Sequence, residues 1–207
     1  KTNIHHDYTI LSKYKKIMTP YRRQGNKNLL IEALPRLFSV LKRRHTWRIG
    51  LYAFVMWAPM TIFAELWGIP YLNQVYHMSE VTSNAHMAII WIAVAIFSPL
   101  VGIFSQLCSK RLLPMRITAL IGLLGAVVLL FAPGVFHSVP GWLIWVSLFC
   151  FGVGPTGAIL SFAVVKDYNR ENLGAAIGFN NMMVVLGGAF FQPLVGVLIN
   201  MFWDFKA

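Results

Sequence analysis

The 207-residue chain carries 18 Lys and Arg against 7 Asp and Glu, a formal net charge of +11, yet only 12% of its residues are charged and 57% are hydrophobic. A water-soluble domain ordinarily carries about 25% charged residues, so the composition argues against a cytosolic enzyme, a secreted disulfide domain and a disordered tail. Twelve of the 18 basic residues lie at or before Arg48, and a basic end followed by long apolar runs marks a membrane protein rather than a nucleic-acid binder.

The first 46 residues differ in kind from the rest. Leu29, Leu30, Ala33, Leu37 and Leu41 recur at roughly helical spacing among Lys and Arg. That pattern predicts a basic amphipathic helix on the membrane surface, interrupted at Pro35. Two roles stay open: an interfacial latch or anionic-lipid contact, and a plain cytoplasmic connector whose charge sets topology. The numbering opens on Lys1 rather than Met, and the chain reads as a piece of something longer.

Five stretches are long and apolar enough to cross a hydrocarbon core, which takes roughly 20 residues of helix: residues 47–72, 84–107, 113–131, 141–165 and 173–202. The expected architecture is therefore all-α, a polytopic transmembrane bundle over residues 47–203 behind a linker of residues 1–46. Basic residues number 12 up to Arg48 at the start of the first span, none after that span, then three, none, two and one. Since basic loops stay in the cytoplasm, the N-terminal segment, Lys110-Arg111-Arg116 and Lys166/Arg170 are expected inside, with the loops near Glu80 and His137 outside. Trp47, Tyr71, Tyr76, Trp142 and Trp203 fall near span ends, as in an aromatic belt.

Ionisable groups inside a bilayer are expensive and are functional candidates by default. Glu65 is the one carboxylate within a span, about 25 Å of helix from Arg48. It reads as a proton carrier, as a carboxylate wetted by an outer vestibule, or as a structural partner for a basic group elsewhere. Asn180 and Asn181 lie a third of the way into the fifth span and point about 100° apart, so one is expected to line a cavity and the other to pack. Gln192 sits near the outer end of that span. Amides of this kind bind polar solutes or glue helices together. Tyr52, Trp57 and Trp91 lie within spans, where they wall an organic solute's site, face lipid or pack.

Pro59, Pro99, Gly152, Gly154, Pro155, Gly187, Gly188 and Pro193 punctuate the spans. They mark kinks that let helices rock, or close packing through small residues, with Gly174 and Gly178 at GxxxG spacing. Gly152 to Gly157 is no phosphate loop, since it lacks the Lys-Ser/Thr ending. Cys108 and Cys150 show no metal or disulfide spacing, the six His make no HExxH, and no nucleophile–base set converges. No metal or cofactor is expected beyond a coupling proton, and no enzymatic activity.

Three stretches resemble the C-terminal half of a major facilitator superfamily (MFS) transporter, from the central linker through helices seven to eleven. They are Phe63-Ala64-Glu65-Leu66-Trp67-Gly68-Ile69-Pro70-Tyr71-Leu72, then Gly102 through Arg111, and Gly178-Phe179-Asn180-Asn181-Met182 with Gly187-Gly188 and Gln192-Pro193. The second is similar to the family's loop signature Gly-x3-Asp-Arg/Lys-x-Gly-Arg/Lys-Arg/Lys. It departs at Gln106, where the family commonly has Asp, and at Ser109, where it has Gly. That Asp contributes to a charge relay holding the cytoplasmic gate. The likeness covers residues 36–203 and is closest to bacterial members that move small organic solutes.

The resemblance implies alternating access between two six-helix halves, with Tyr52, Trp57, Glu65, Trp91, Asn180 and Asn181 toward the solute and Lys110 and Arg111 at the inner gate. It further implies an integral protein of a bacterial inner membrane whose partners are the lipid bilayer, a small organic solute and the missing N-terminal half. The expected function is secondary active transport, with proton coupling hinted by Glu65. The alternative is a non-transporting sensor or scaffold that binds a partner through its basic segment.

Overall fold

The computed structural model describes residues 29–202, with side-chain surroundings from residue 33; His5-His6, Trp203 and most of the basic N-terminal charge lie outside them. The described residues form α1 (Leu29–Leu41), α2 (Arg44–Pro59), a π-helical segment (Met60–Trp67), α3 (Gly68–Val75), α4 (Glu80–Leu107), α5 (Leu112–Val135), α6 (Gly141–Val153), α7 (Thr156–Tyr168) and α8 (Leu173–Phe202). Among the described residues there is no strand. Five helical stretches are long and apolar enough to cross a membrane: Arg44–Val75, Glu80–Leu107, Leu112–Val135, Gly141–Tyr168 and Leu173–Phe202. The all-helical, five-span architecture expected from the sequence is the one observed.

Local chemistry sets several of the ends. Ser79 caps α4, its Oγ accepting from the Thr82 N–H at 3.3 Å, and Glu80 adds a carboxylate to the positive end of that helix. Pro140 precedes α6 and Pro155 precedes α7, positions where a missing N–H costs nothing. The fourth span breaks at Gly154-Pro155 for that reason. Pro99, by contrast, lies inside an unbroken α4. So does Pro35 inside α1, where the sequence predicts an interruption. One absent N–H releases a single carbonyl, and the helix continues through it.

The fourth span is the hub. Over its apolar 18-residue stretch 67% is buried, whereas the corresponding stretches of the other four are 22% to 33% buried. α6 packs against α4 and α5, α7 packs against α2, and α2 packs along α8. The largest core joins Met60, Leu72, Met87, Ile90, Leu129, Leu148 and Phe151. A second, at the opposite end, joins Val40 of α1 to Ile49, Val165 and Ala176. The buried hydroxyls of Thr61, Thr118, Ser147, Thr156 and Ser161 each donate to a carbonyl three or four residues back, which spares the hydrocarbon layer those five free O–H groups; the buried hydroxyls of Thr46 and Ser105 find no partner among the described residues.

Close approach is made at particular glycines. A Cβ on Gly152 would sit 2.5 Å from the Ile90 carbonyl oxygen, and one on Gly125 would sit 2.5 Å from the Phe151 nitrogen. Gly174 and Gly178, the GxxxG pair, instead have nothing within 4 Å of such an atom. The close-packing expectation thus fails at that pair and holds at Gly187 and Gly188, where α8 meets Phe54, Ala58 and Thr61. The i, i+4 spacing alone does not say which side of a helix meets a neighbour.

Candidate functional site

The first span changes its winding midway. After Pro59 the backbone passes into π-helical turns over Met60–Trp67 and returns to α-helix at Gly68. Pro59 and Pro70 bracket this stretch and each removes a donor, so wider turns redistribute the freed carbonyls. The Gln192 side chain from α8 adds a bond to this stretch, its Nε2 donating to the Thr61 carbonyl at 2.7 Å. Gly188, whose added Cβ would lie 3.0 Å from the Thr61 Cβ, lets α8 come close enough for that bond. Glu65 stands in the π-helical segment and is exposed.

Asn180 is fully buried, and its Nδ2 donates to the Ser161 Oγ of α7 at 2.8 Å. Its Oδ1 has no hydrogen-bond partner among the described residues, leaving one strong acceptor open inside the bundle. Asn181, one position on, is exposed. The pair thus faces two different surroundings.

Tyr52 is half-buried and donates from its hydroxyl to the Met115 carbonyl at 3.2 Å, tying α2 to α5. Trp57 packs against the largest core. Trp91, on α4, is 43% exposed. The structure therefore distributes the six candidates: Tyr52 and Trp57 in helix contacts, Asn180 between α7 and α8, and Glu65, Trp91 and Asn181 on outer surfaces of the bundle. None of the six lines the cavities walled by Val55, Met56 and Gly154, by His77, His86 and His137, by Phe97, Leu100 and Phe104, or by Trp67, Tyr71 and Ile199.

At the basic end, Lys110 is exposed, while Arg111 donates from Nε to Asp167 Oδ2 at 2.6 Å. Asp167, at the end of α7, is a residue the motif comparison did not single out. Its signal in sequence is that it is the lone acid between Lys166 and Arg170. Arg43 reaches the same region, donating to the Tyr168 carbonyl at 2.9 Å with Glu171 at 3.8 Å. His45 stacks on Tyr168 at 4.9 Å between ring centres. Asn172 donates to Ser39 at 3.4 Å. These contacts, with Val40 fully buried, dock the end of α1 and the start of α2 on the α7–α8 connection. Each exposed ion pair contributes no more than about 1 kcal/mol.

Among the described residues no group of three His, Cys, Asp or Glu is placed to hold a metal ion. No curated protein and no solved structure matches the chain. The family model described as Major Facilitator Superfamily matches residues 12–205, and with five helical stretches long and apolar enough to cross a membrane behind a basic segment, the chain belongs to the major facilitator superfamily.

Proposed function

We propose that this MFS-type membrane transporter chain moves a small organic solute by alternating access, coupled to protons through Glu65, and that it works with an N-terminal half not included in these 207 residues. The observation that carries the reading is the broken first span. A π-helical segment between two prolines is a place where a helix can bend, and here that segment bears Glu65, a carboxylate in the interior of a span where Glu80 and Asp167 stand at span ends. Asn181 and Trp91, both exposed, suit a face turned toward the other half, and Asn180 keeps an open acceptor nearby in sequence. The distribution of basic residues favours a cytoplasmic N-terminal segment in a bacterial inner membrane. The ion pair of Arg111 with Asp167 serves as the inner-gate latch in place of the Asp absent at Gln106, with Lys110 beside it.

The test is solute-dependent flux in proteoliposomes containing the complete transporter, with and without an imposed pH gradient. Gradient-driven uptake that falls to the no-gradient rate in Glu65→Gln, while solute exchange persists, supports the coupling role. Wild-type uptake indifferent to the gradient overturns it. In the same assay Trp57→Ala and Asn181→Ala are expected to raise KM; unchanged kinetics remove those two from the site.

A second reading, a sensor or scaffold acting through the basic segment, draws on the docking of α1 against α7 and α8. Absence of solute-dependent flux in the complete protein favours it.

A further inference from the structure

A cavity of about 600 Å³ lies at the end of the bundle remote from the basic loops. It opens between the α3–α4 connector, the first part of α4, and the α5–α6 connector with the start of α6. A volume of a few hundred Å³ is that of a small-molecule site. Three imidazoles from three separate elements line it: His77, His86 and His137, with Tyr76, Ser138 and Trp145 completing the polar and aromatic wall.

The chemistry of the lining has one sign. His86 is bonded through Nδ1 to the Thr82 carbonyl at 2.8 Å. A carbonyl only accepts, so Nδ1 carries a proton and Nε2 is left uncommitted. The His86 ring also lies edge-on to Trp145 at 5.4 Å, which holds it in place. His77 has a left-handed backbone, φ 54°, in a connector pinned by the Tyr76 and Met78 N–H groups donating to the Leu72 carbonyl. A non-glycine residue held there costs energy that the surroundings must over-determine.

No Asp, Glu, Lys or Arg lines the cavity. On the elements that wall it the charged residues are Glu80, exposed at the start of α4, and Arg116, near the far end of α5. Burial, with Tyr71 nearby, pushes the Tyr76 hydroxyl up to about 12, so that group stays neutral, and it is spent on the Leu129 carbonyl at 2.6 Å. An imidazole N–H donates to an anion, and no carboxylate lines this cavity to compete for it. A cation finds no ligand set there, since no metal-binding group exists among the described residues.

We propose that this cavity is a binding site for a small, flat organic carboxylate, its carboxylate held by the imidazoles of His77 and His137 and its ring set against Trp145 and His86. The site is separate from the residues invoked for transport: its lining comes from the α3–α4 and α5–α6 connectors and the starts of α4 and α6.

Benzoate is the probe, titrated calorimetrically into the purified protein in detergent at about pH 5.5 and about pH 8; it stays anionic at both, as carboxyls ionise near pH 4. Saturable binding at the lower pH, weakened roughly ten-fold at the higher, is expected from losing charge-assisted hydrogen bonds. The double variant H77A/H137A, altered only in exposed connectors, is expected to abolish that pH dependence and weaken binding by a similar factor. Benzyl alcohol, the same ring without charge, is expected to bind weakly at both pH values. Absence of saturable binding at about pH 5.5, equal binding of benzyl alcohol, or a double variant titrating as the wild type does would each overturn the proposal.

Discussion

Gly152→Ala is the sharpest probe of how the hub is built. The added methyl would lie 2.5 Å from the Ile90 carbonyl oxygen, 2.9 Å from the Ala93 Cβ and 3.0 Å from the Ile90 Cα. Ordinary C···O contacts fall at about 3.3–3.6 Å, so α4 and α6 must separate by most of an ångström. The atoms met first belong to the backbone, which has no rotamer to change. Overpacking of this kind costs about 1–3 kcal/mol, and the rigid neighbour puts this case near the upper end.

Gly178→Ala is the control, since nothing lies within 4 Å of its Cβ position. Both variants gain about 1 kcal/mol of helix propensity, and the difference between them isolates packing at about 3 kcal/mol. At roughly 2–4 °C per kcal/mol for a chain of this size, thermal unfolding in detergent, followed by tryptophan fluorescence, is expected to separate them by about 6–12 °C. Gly178→Ala should melt at or slightly above the wild type. If the two melt together, α4 and α6 do not touch at Gly152 and the hub described above is wrong.

Two further outcomes follow from single contacts. Gln192→Leu leaves the Thr61 carbonyl without its side-chain donor, a loss of about 1–2 kcal/mol, and hydrogen exchange in residues 60–67 should quicken while α5 is unchanged; unaltered exchange would mean the amide does not support the π-helical turns. A double-mutant cycle on Arg111→Gln and Asp167→Asn should give a coupling below about 1 kcal/mol at low salt that fades as salt is added, because both side chains are exposed. A coupling that persists in high salt would instead place the pair in a desolvated setting.

How much of this was legible beforehand differs from element to element. Glu80–Leu107 and Leu112–Val135 follow from length and apolarity alone, as does the separation of a basic segment from the spans. The break at Gly154-Pro155 is written in proline chemistry. The continuous helix through Pro35 is not, because one missing N–H is a penalty that neighbouring contacts outweigh. The candidate site was legible in residue type more than in placement. Asn180 and Asn181 were expected on different faces, yet their burial and exposure, and the Ser161 partner, depend on how α8 is rotated against α7. Asp167 as the partner of Arg111 is 56 residues away in sequence, beyond the reach of any local motif.

What the sequence determined by itself is the number of crossings and the family, because a bilayer requires every backbone polar group of a spanning segment to be satisfied within that segment. What only the tertiary structure decided is the helix faces: Gly152 and Gly188 in contact, Gly174 and Gly178 open, and His77, His86 and His137 around one cavity. The reason is that lipid is as apolar as the protein interior. A membrane helix is greasy on all sides, its periodicity carries little record of which side meets a neighbour, and rotation about the helix axis is settled by packing alone.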